Sequence, residues 1–158
     1  MLYATGCRVS EVENLTMHDI HLGEKYCICT GKGKKQRLVH LGNIAIEAFQ
    51  DWKEIERADL VERYGESNFA FLSYRGKKLS QRKIWGLVSK YAKLAGIITE
   101  ICTHTLRHSF ATHMMVAGVD LRRVQEMLGH ASIATTQIYT HVDMSSLKEI
   151  HAKYHPRG

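Results

Sequence analysis

Apolar residues recur every three or four positions along much of this chain, which is the spacing that places side chains on one face of an α-helix. One such stripe follows Asn43 and another follows Ser80, and each of these polar residues can cap the helix that it precedes. The apolar faces predicted for these two helices are Ile44, Ala48, Phe49, Trp52 and Ile55, and Ile84, Leu87, Val88, Tyr91 and Ala95. A polar stretch, Glu56 to Ser67, separates them, and Gly96 ends the second helix.

Helical spacing also marks both ends of the chain. Near the start, Val9, Val12 and Leu15, followed by Met17 or Ile20, recur at helical intervals. In the second half, polar residues again mark helix starts. The predicted helices run from Thr103 to about Ala117, from Asp120 to Leu128, from Ser132 to His141, and from Asp143 through Tyr154.

Residues that favour β-strands are confined to short runs. Tyr26–Thr30 and Arg37–Leu41 read as two strands of a hairpin whose connection, residues 31–36, is strongly basic. Phe69–Leu72 is a further short strand, and it leads into the basic turn Arg75–Lys78. The pattern therefore predicts an α+β fold, mainly α-helical with a small antiparallel β-sheet.

Composition limits the function classes. A length of 158 residues predicts one domain, and 44% hydrophobic residues with a single proline are typical of a helix-rich globular protein with its own core. No apolar run approaches the roughly 20 residues that cross a bilayer, so we expect a soluble, cytoplasmic protein. The net charge of +6 indicates an acidic polymer as partner.

Cysteine and histidine spacing gives little support for a metal site. The four cysteines, Cys7, Cys27, Cys29 and Cys102, form no CxxC pair and are expected to be reduced. Cys27 and Cys29 could bind a metal, but alternate residues of one strand face explain them better. His104 and His108 have the spacing of zinc ligands, yet the metalloprotease pattern requires Glu where Thr105 stands. We therefore predict no metal and no other cofactor.

Two pairs of residues three positions apart carry the first sign of chemistry. Arg8 and Glu11 form one pair, and His104 and Arg107 form the other, so each pair shares a helix face. Such pairs commonly decorate solvated surfaces, and neither would be decisive alone. What changes the interpretation is the order of further residues, namely the basic hairpin tip, Leu128-Gly129-His130 and Thr135-Thr136-Gln137-Ile138-Tyr139.

This combination resembles the tyrosine recombinase family of DNA integrases and resolvases, and most closely its Xer-type members. The resemblance spans nearly the whole chain and implies six catalytic residues, with Glu11 supporting the active-site arginine. The matching catalytic positions are Arg8, Lys32, His104, Arg107, His130 and Tyr139. The family also implies that residues 1–158 are a catalytic domain, and that an N-terminal DNA-binding domain and the opening catalytic helices are absent here.

The residue types suit phosphodiester chemistry without a metal. Guanidinium groups of Arg8 and Arg107 can neutralise the phosphate, and His104 and His130 can add hydrogen bonds as charge builds. Cations that favour a phenolate would make Tyr139 a nucleophile. The protonated amine of Lys32 could then supply a proton to the leaving oxygen, although Lys34 and Lys35 compete for this role.

The resemblance further implies double-stranded DNA as partner, a 3′-phosphotyrosine intermediate, no ATP, and a homo- or hetero-tetramer on two DNA sites at the nucleoid. Expected contacts to the DNA backbone are Lys34, Lys35, Arg75, Lys77 and Lys78. Two alternatives remain open, a type IB topoisomerase and a DNA-binding fragment without activity. The C-terminal helix is expected to dock either on a neighbouring protomer or on its own domain.

Overall fold

A computed structural model describes residues 1–129 and 149–156 and has the predicted class of fold, helices with one small antiparallel sheet. The helices are α1 (Leu2–Thr5), α2 (Val9–Asn14), α3 (Asn43–Trp52), α4 (Ala58–Tyr64), α5 (Gln81–Leu94), α6 (Thr103–Val116) and α7 (Leu121–Leu128). The strands are β1 (Ile20–His21), β2 (Tyr26–Thr30) and β3 (Gln36–His40). Residues 149–154, here named the terminal helix, are also helical.

The sheet has the order β1-β2-β3, and the predicted hairpin is confirmed as β2 and β3. Its register pairs Cys27 with Val39 and Cys29 with Arg37. Both cysteines are buried, and the sulfur of Cys29 lies 3.1 Å from that of Cys7. Small residues on one buried strand face, the favoured interpretation of this segment, are therefore what the structure contains.

The helix after Asn43 differs from the prediction in its start, face and length. Asn43 is its first residue, and its side chain accepts a hydrogen bond from Lys25 Nζ at 2.9 Å instead of capping the helix. Ile46 and Phe49 face the core, whereas Ile44 is 47% exposed and Ile55 is 66% exposed. A π-helical segment, Lys53–Arg57, joins α3 to α4 and carries the helix through part of the expected polar stretch. Because a π-turn adds a residue to the helical period, the apolar spacing cannot be extended through it.

Helix α5 buries only part of its predicted face. Ser80 caps it as expected, since its Oγ accepts a hydrogen bond from the backbone N–H of Lys83 at 3.4 Å. Ile84 is buried, but Leu87 and Tyr91 are 42% and 62% exposed and line an open apolar groove. Only the start of α5 is held against α2, where Gln81 Nε2 donates to Glu13 Oε2 at 2.7 Å.

The apolar stripe near the start of the chain is not one helix. Helix α2 ends at Asn14, and the next backbone groups pair with residues 68–70 instead of continuing the helix. Met17 N donates to Asn68 O at 2.8 Å, and Ala70 N donates to Leu15 O at 2.9 Å. The strand predicted at Phe69–Leu72 is reduced to isolated bridges, one of them between Leu72 and Lys78.

Two hydrophobic clusters form the core. One lies between α1, α2, the sheet and α3, and the other between α6 and α7. Asp120 caps α7 as predicted, whereas Cys102, and not Thr103, precedes α6 at the cap position. Ile150 and Tyr154 of the terminal helix pack against the second cluster, so this helix lies on its own domain in the single chain. The helix predicted for residues 132–141 lies outside the described residues. Among the described helices, none has the length and apolar character needed to cross a membrane.

Candidate active site

A buried carboxylate organises the site. Glu11, in the first turn of α2, is 1% exposed and accepts a hydrogen bond from the backbone N–H of Arg8 at 2.7 Å. The Arg8 guanidinium lies 3.2 Å from Glu11 Oε1 and is 41% exposed. The predicted Arg8–Glu11 pair is therefore present, with the carboxylate inside and the cation facing solvent.

A second arginine, Arg37 of β3, holds Glu11 from the other side. Its Nη2 donates to Glu11 Oε2 at 2.8 Å and its Nη1 donates to Oε1, which makes the pair bidentate. Burial raises the pKa of Glu11, but the hydrogen bond and charge of Arg37, together with Arg8, outweigh burial and hold this pKa below its usual value. Glu11 is therefore a carboxylate throughout the neutral range.

Arg107 of α6 reaches the same region from the second half of the chain. Its Nη1 donates to the carbonyl oxygen of Gly6, and its Nη2 donates to that of Leu128 at 2.8 Å. Burial, the largest cause, and the positive charges of Arg8 and Arg37 together lower the pKa of Arg107 to about 10. The fold thus gathers three guanidinium groups around one carboxylate, leaving an excess of positive charge.

The close approach of α1 to α6 and α7 depends on Gly6. This residue ends α1 with a φ of 62°, in the left-handed region that favours glycine. A Cβ there would lie 2.7 Å from side-chain carbons of Leu128 and Phe110. The carbonyl of Gly6 can meet Arg107 only because the backbone comes this close.

His104 lies one helical turn before Arg107 and is exposed. Together with Arg107 and His108 it lines a surface cavity of about 430 Å³ between α6 and α7. The predicted His104–Arg107 face is thus present beside the arginine cluster. His130 and Tyr139 lie outside the described residues, and α7 ends just before His130, at Gly129.

The basic hairpin tip begins next to Glu11. A Cβ added at Gly31 would lie 3.4 Å from Glu11 Oε1, so the backbone that leads into Lys32 passes the buried carboxylate. Lys32–Lys34 form a short helical turn that is kinked at Gly33, where φ is 74°, and Gly31 N closes the loop around it by donating to Lys35 O at 2.8 Å. Lys34 and Lys35 are exposed.

The second basic turn is attached to α2. Lys78 Nζ donates to Asn14 Oδ1 at 2.8 Å and lies 5.2 Å from the centre of the Phe69 ring. Arg75 and Lys77 are exposed in the same turn. Both predicted DNA-contacting turns are thus linked to the segment that carries Arg8 and Glu11.

Arg37 is the site residue that the sequence interpretation missed. The strand pattern gives Arg37 no role, although its spacing puts it on the same strand face as Val39, which is buried. A charged residue at a buried strand position requires a partner of opposite charge, and this was the available signal. Within residues 1–129 and 149–156, no three His, Cys, Asp or Glu side chains converge as metal ligands.

Comparison with known proteins agrees with this geometry. The pattern of the phage integrase family matches residues 1–146. A curated relative, tyrosine recombinase XerD of Halalkalibacterium halodurans, is 45% identical over 158 residues, which is all of this chain and 52% of the relative. The chain spans about half the length of the curated relatives it matches.

Solved structures give the same picture. The crystal structure of XerA recombinase matches with a TM-score of 0.73 and 36% identity, over 99% of this chain and 56% of the other. The crystal structure of XerH site-specific recombinase bound to palindromic difH substrate, a post-cleavage complex, matches with a TM-score of 0.70 and 37% identity. The match covers 94% of this chain and 42% of the XerH chain. By its sequence and by its fold, the chain belongs to the phage integrase family.

Proposed function

We propose that residues 1–158 form the catalytic domain of a site-specific DNA recombinase that cleaves and rejoins double-stranded DNA through a 3′-phosphotyrosine intermediate. The single observation that carries this proposal is the convergence of Arg8 and Arg107, from opposite halves of the chain, beside a buried carboxylate. Two guanidinium groups at one place suit a phosphodiester, whose negative charge otherwise repels a nucleophile.

The proposed cleavage step follows from these charges. Tyr139 first loses its phenol proton to solvent, and the phenolate, which the surrounding cations favour, attacks the phosphorus atom; the bond to the 5′ oxygen breaks, and Lys32 gives that oxygen a proton. Arg8 and Arg107 bind the non-bridging oxygens, and His104 and His130 donate further hydrogen bonds as negative charge develops. Since one phosphate ester replaces another, the reverse attack by a 5′ hydroxyl needs no ATP, and the guanidinium groups supply the charge neutralisation that a metal gives in other phosphoryl transfers.

The proposed partner is double-stranded DNA, as in the XerH complex named above. Two such DNA sites would be held by a tetramer of one or two kinds of chain, in the cytoplasm at the nucleoid. Backbone phosphates would be met by the two basic turns that flank α2, through Lys34, Lys35, Arg75, Lys77 and Lys78.

A trapped covalent intermediate tests the proposal. The protein and its Tyr139→Phe variant are incubated in EDTA with a nicked duplex that carries the recombination site of a XerD relative. A parallel preparation fuses the chain behind the N-terminal half of that relative, so that weak binding cannot hide the chemistry. We expect a denaturation-resistant protein-DNA band that Tyr139→Phe abolishes. If neither preparation gives a band, a DNA-binding role without catalysis becomes the better description.

Strand exchange separates recombination from topoisomerase activity. Two labelled duplexes that each carry the site are incubated with the fusion protein, and a supercoiled plasmid is tested beside them. We expect recombinant duplexes; relaxation of the plasmid without exchange would instead favour the type IB topoisomerase alternative.

A further inference from the structure

Arg37 lies between the Arg8–Glu11 pair and Gly129 at the end of α7. Its side chain is 9% exposed and uses both terminal nitrogens on Glu11. Its Nη2 also lies 3.8 Å from Cys7 Sγ, next to Arg8 in sequence. The guanidinium is therefore fixed in orientation as well as in position, which a single contact would not achieve.

The bidentate contact determines how Arg8 is held. Glu11 presents both carboxylate oxygens to the Arg37 guanidinium, whereas the Arg8 guanidinium shares only Oε1, at 3.2 Å. One negative charge is thus divided between two guanidinium groups, and Arg8 keeps net positive charge and exposed N–H groups for a phosphate. Without Arg37, the carboxylate would lose its bidentate partner, and the orientation in which it holds the Arg8 guanidinium would no longer be fixed.

Arg37 also supports the backbone at the end of α7. Gly129 has a φ of 66°, and a Cβ there would lie 2.6 Å from Arg37 Cδ and 3.0 Å from its Nε. The glycine backbone therefore packs directly against the arginine side chain. Within the described residues, the buried Nε has no hydrogen-bond acceptor, so packing and Glu11 position this side chain.

We propose that Arg37 is a positioning residue for DNA cleavage, which orients Arg8 through Glu11 and supports the backbone from which the chain enters His130. This inference rests on the proposed function, because it assigns Arg37 to the same reaction. Arg37 is not a catalytic residue in this scheme, since Glu11 and Gly129 stand between it and the groups that would touch DNA.

The first test is Arg37→Lys, which keeps the positive charge but cannot form the bidentate hydrogen bonds to Glu11. The rate of covalent adduct formation is measured in preformed protein-DNA complexes, beside the dissociation constant for the same DNA. We expect the rate to fall about tenfold or more, as misplacement of a reacting group predicts, with the dissociation constant changed by less than about twofold. Arg57→Lys is the matched control, because Arg57 is equally buried and donates to the carbonyls of Ser67 and Phe69, away from the site. This control should cleave at the wild-type rate.

The second test uses a pH profile, which a purely structural role would not change. In Arg37→Met, Glu11 loses its bidentate partner and keeps Arg8 as a hydrogen-bonded cation and Arg107 as a more distant one, so burial raises its pKa relative to the wild type. Cleavage by this variant should therefore decline as the pH falls from about 8 to about 6, because a protonated Glu11 holds Arg8 less firmly. In the double variant Glu11→Gln/Arg37→Met there is no carboxyl at position 11 to titrate, so the cleavage rate should be low both at about pH 8 and at about pH 6.

Gly129→Ala covers the case in which Arg37→Met does not fold. The new methyl group would displace Arg37 without removing its charge, and it should reduce the cleavage rate as Arg37→Lys does. Wild-type cleavage rates in both Arg37→Lys and Gly129→Ala would overturn the inference and leave the proposed function intact. If the wild-type protein forms no adduct in either preparation, the proposed function fails and the inference fails with it.

Discussion

Glu11 remains charged inside the protein because both of its carboxylate oxygens accept hydrogen bonds from arginines. Oε1 accepts from the Arg8 guanidinium, and Oε2 accepts from the Arg37 guanidinium and from the backbone N–H of Arg8. A buried carboxylate without such partners would take up a proton or destabilise the fold. The arrangement therefore makes the position of Arg8 depend on a residue that never reaches the surface.

Replacing Glu11 by Gln should destabilise the protein, because the Arg37 guanidinium would then be buried without a negative partner. The expected loss is about 3–5 kcal/mol in urea unfolding at neutral pH. Glu13→Gln is the control on the same helix, since Glu13 only accepts partly exposed hydrogen bonds from Gln81, and its effect should stay within about 0.5 kcal/mol.

The same pair predicts a pH dependence of stability. The pKa of Glu11 is lowered by folding, so its contribution is complete above the unfolded value of about 4.3 and is lost as the pH falls through the lower folded value. The difference between wild type and Glu11→Gln should therefore be constant from about pH 7 to about pH 5 and shrink only below about pH 4. A difference that already shrinks near neutral pH would show that Glu11 is not the buried anion.

At the residue scale, spacing alone was enough to pair Arg8 with Glu11 and His104 with Arg107, because a helix places residues three apart on one face. It could not show that Glu11 is buried. Nor could it reveal Arg37, whose partner is 26 residues away and is reached only through the pairing of β2 with β3. The catalytic roles of all six positions, Arg8, Lys32, His104, Arg107, His130 and Tyr139, stay predictions.

At the scale of elements, the terminal helix is held by buried histidines. His151 Nε2 donates to the carbonyl oxygen of Ala4 at 2.8 Å, and its ring stacks on that of His155 with centroids 4.7 Å apart. Burial lowers the pKa of His151, although the hydrogen bond to Ala4 acts in the opposite direction. His40 and Glu126 line the same small cavity as His151.

Docking of the terminal helix should therefore weaken in acid. Because folding lowers the pKa of His151, docking is fully stable above the unfolded value of about 6.5 and loses stability as the pH falls through it. Hydrogen exchange of residues 149–155, corrected for intrinsic rates, should be faster at about pH 5.5 than at about pH 7.5. His151→Gln should flatten this dependence, whereas the control His18→Gln should retain it; an unchanged dependence in His151→Gln would assign it to another group.

Whether each element is a helix or a strand was largely predictable from the sequence, but the buried face and the ends of each element were not. The β2–β3 hairpin and helices α5, α6 and α7 are predicted by capping residues, by glycines at helix ends and by the spacing of apolar residues, all of which act locally along the chain. The π-helical segment at Lys53–Arg57 and the early end of α2 are set by contacts with residues 67–70, which no local pattern contains. Leu87 and Tyr91 were expected in the core because periodicity identifies an apolar face without showing what covers it.

For the molecule as a whole, the net charge of +6 predicts the salt dependence of the proposed DNA binding. Contacts to DNA phosphates release counterions, so the association constant for DNA should fall steeply as the salt concentration rises. A plot of its logarithm against the logarithm of salt concentration should have a slope of about −0.9 for each phosphate contact. Replacing Arg75, Lys77 and Lys78 together by Ala should reduce that slope by about three. Lys53→Ala/Arg63→Ala, on the segment 43–64, is the control and should leave the slope unchanged. Salt-independent binding would contradict the proposed contacts.

The bond from Arg107 to Gly6 joins residues 101 positions apart in the chain. A ribosome therefore releases Arg8, Glu11 and Arg37 well before the second phosphate-binding cation exists, and at about 5–20 residues per second the interval is on the order of seconds. During those seconds the nascent chain carries Arg8, Glu11 and Arg37 without Arg107, which the proposed site needs as its second cation. An unfinished product that ends before Arg107 therefore lacks one of the two guanidinium groups on which the proposed phosphate site depends.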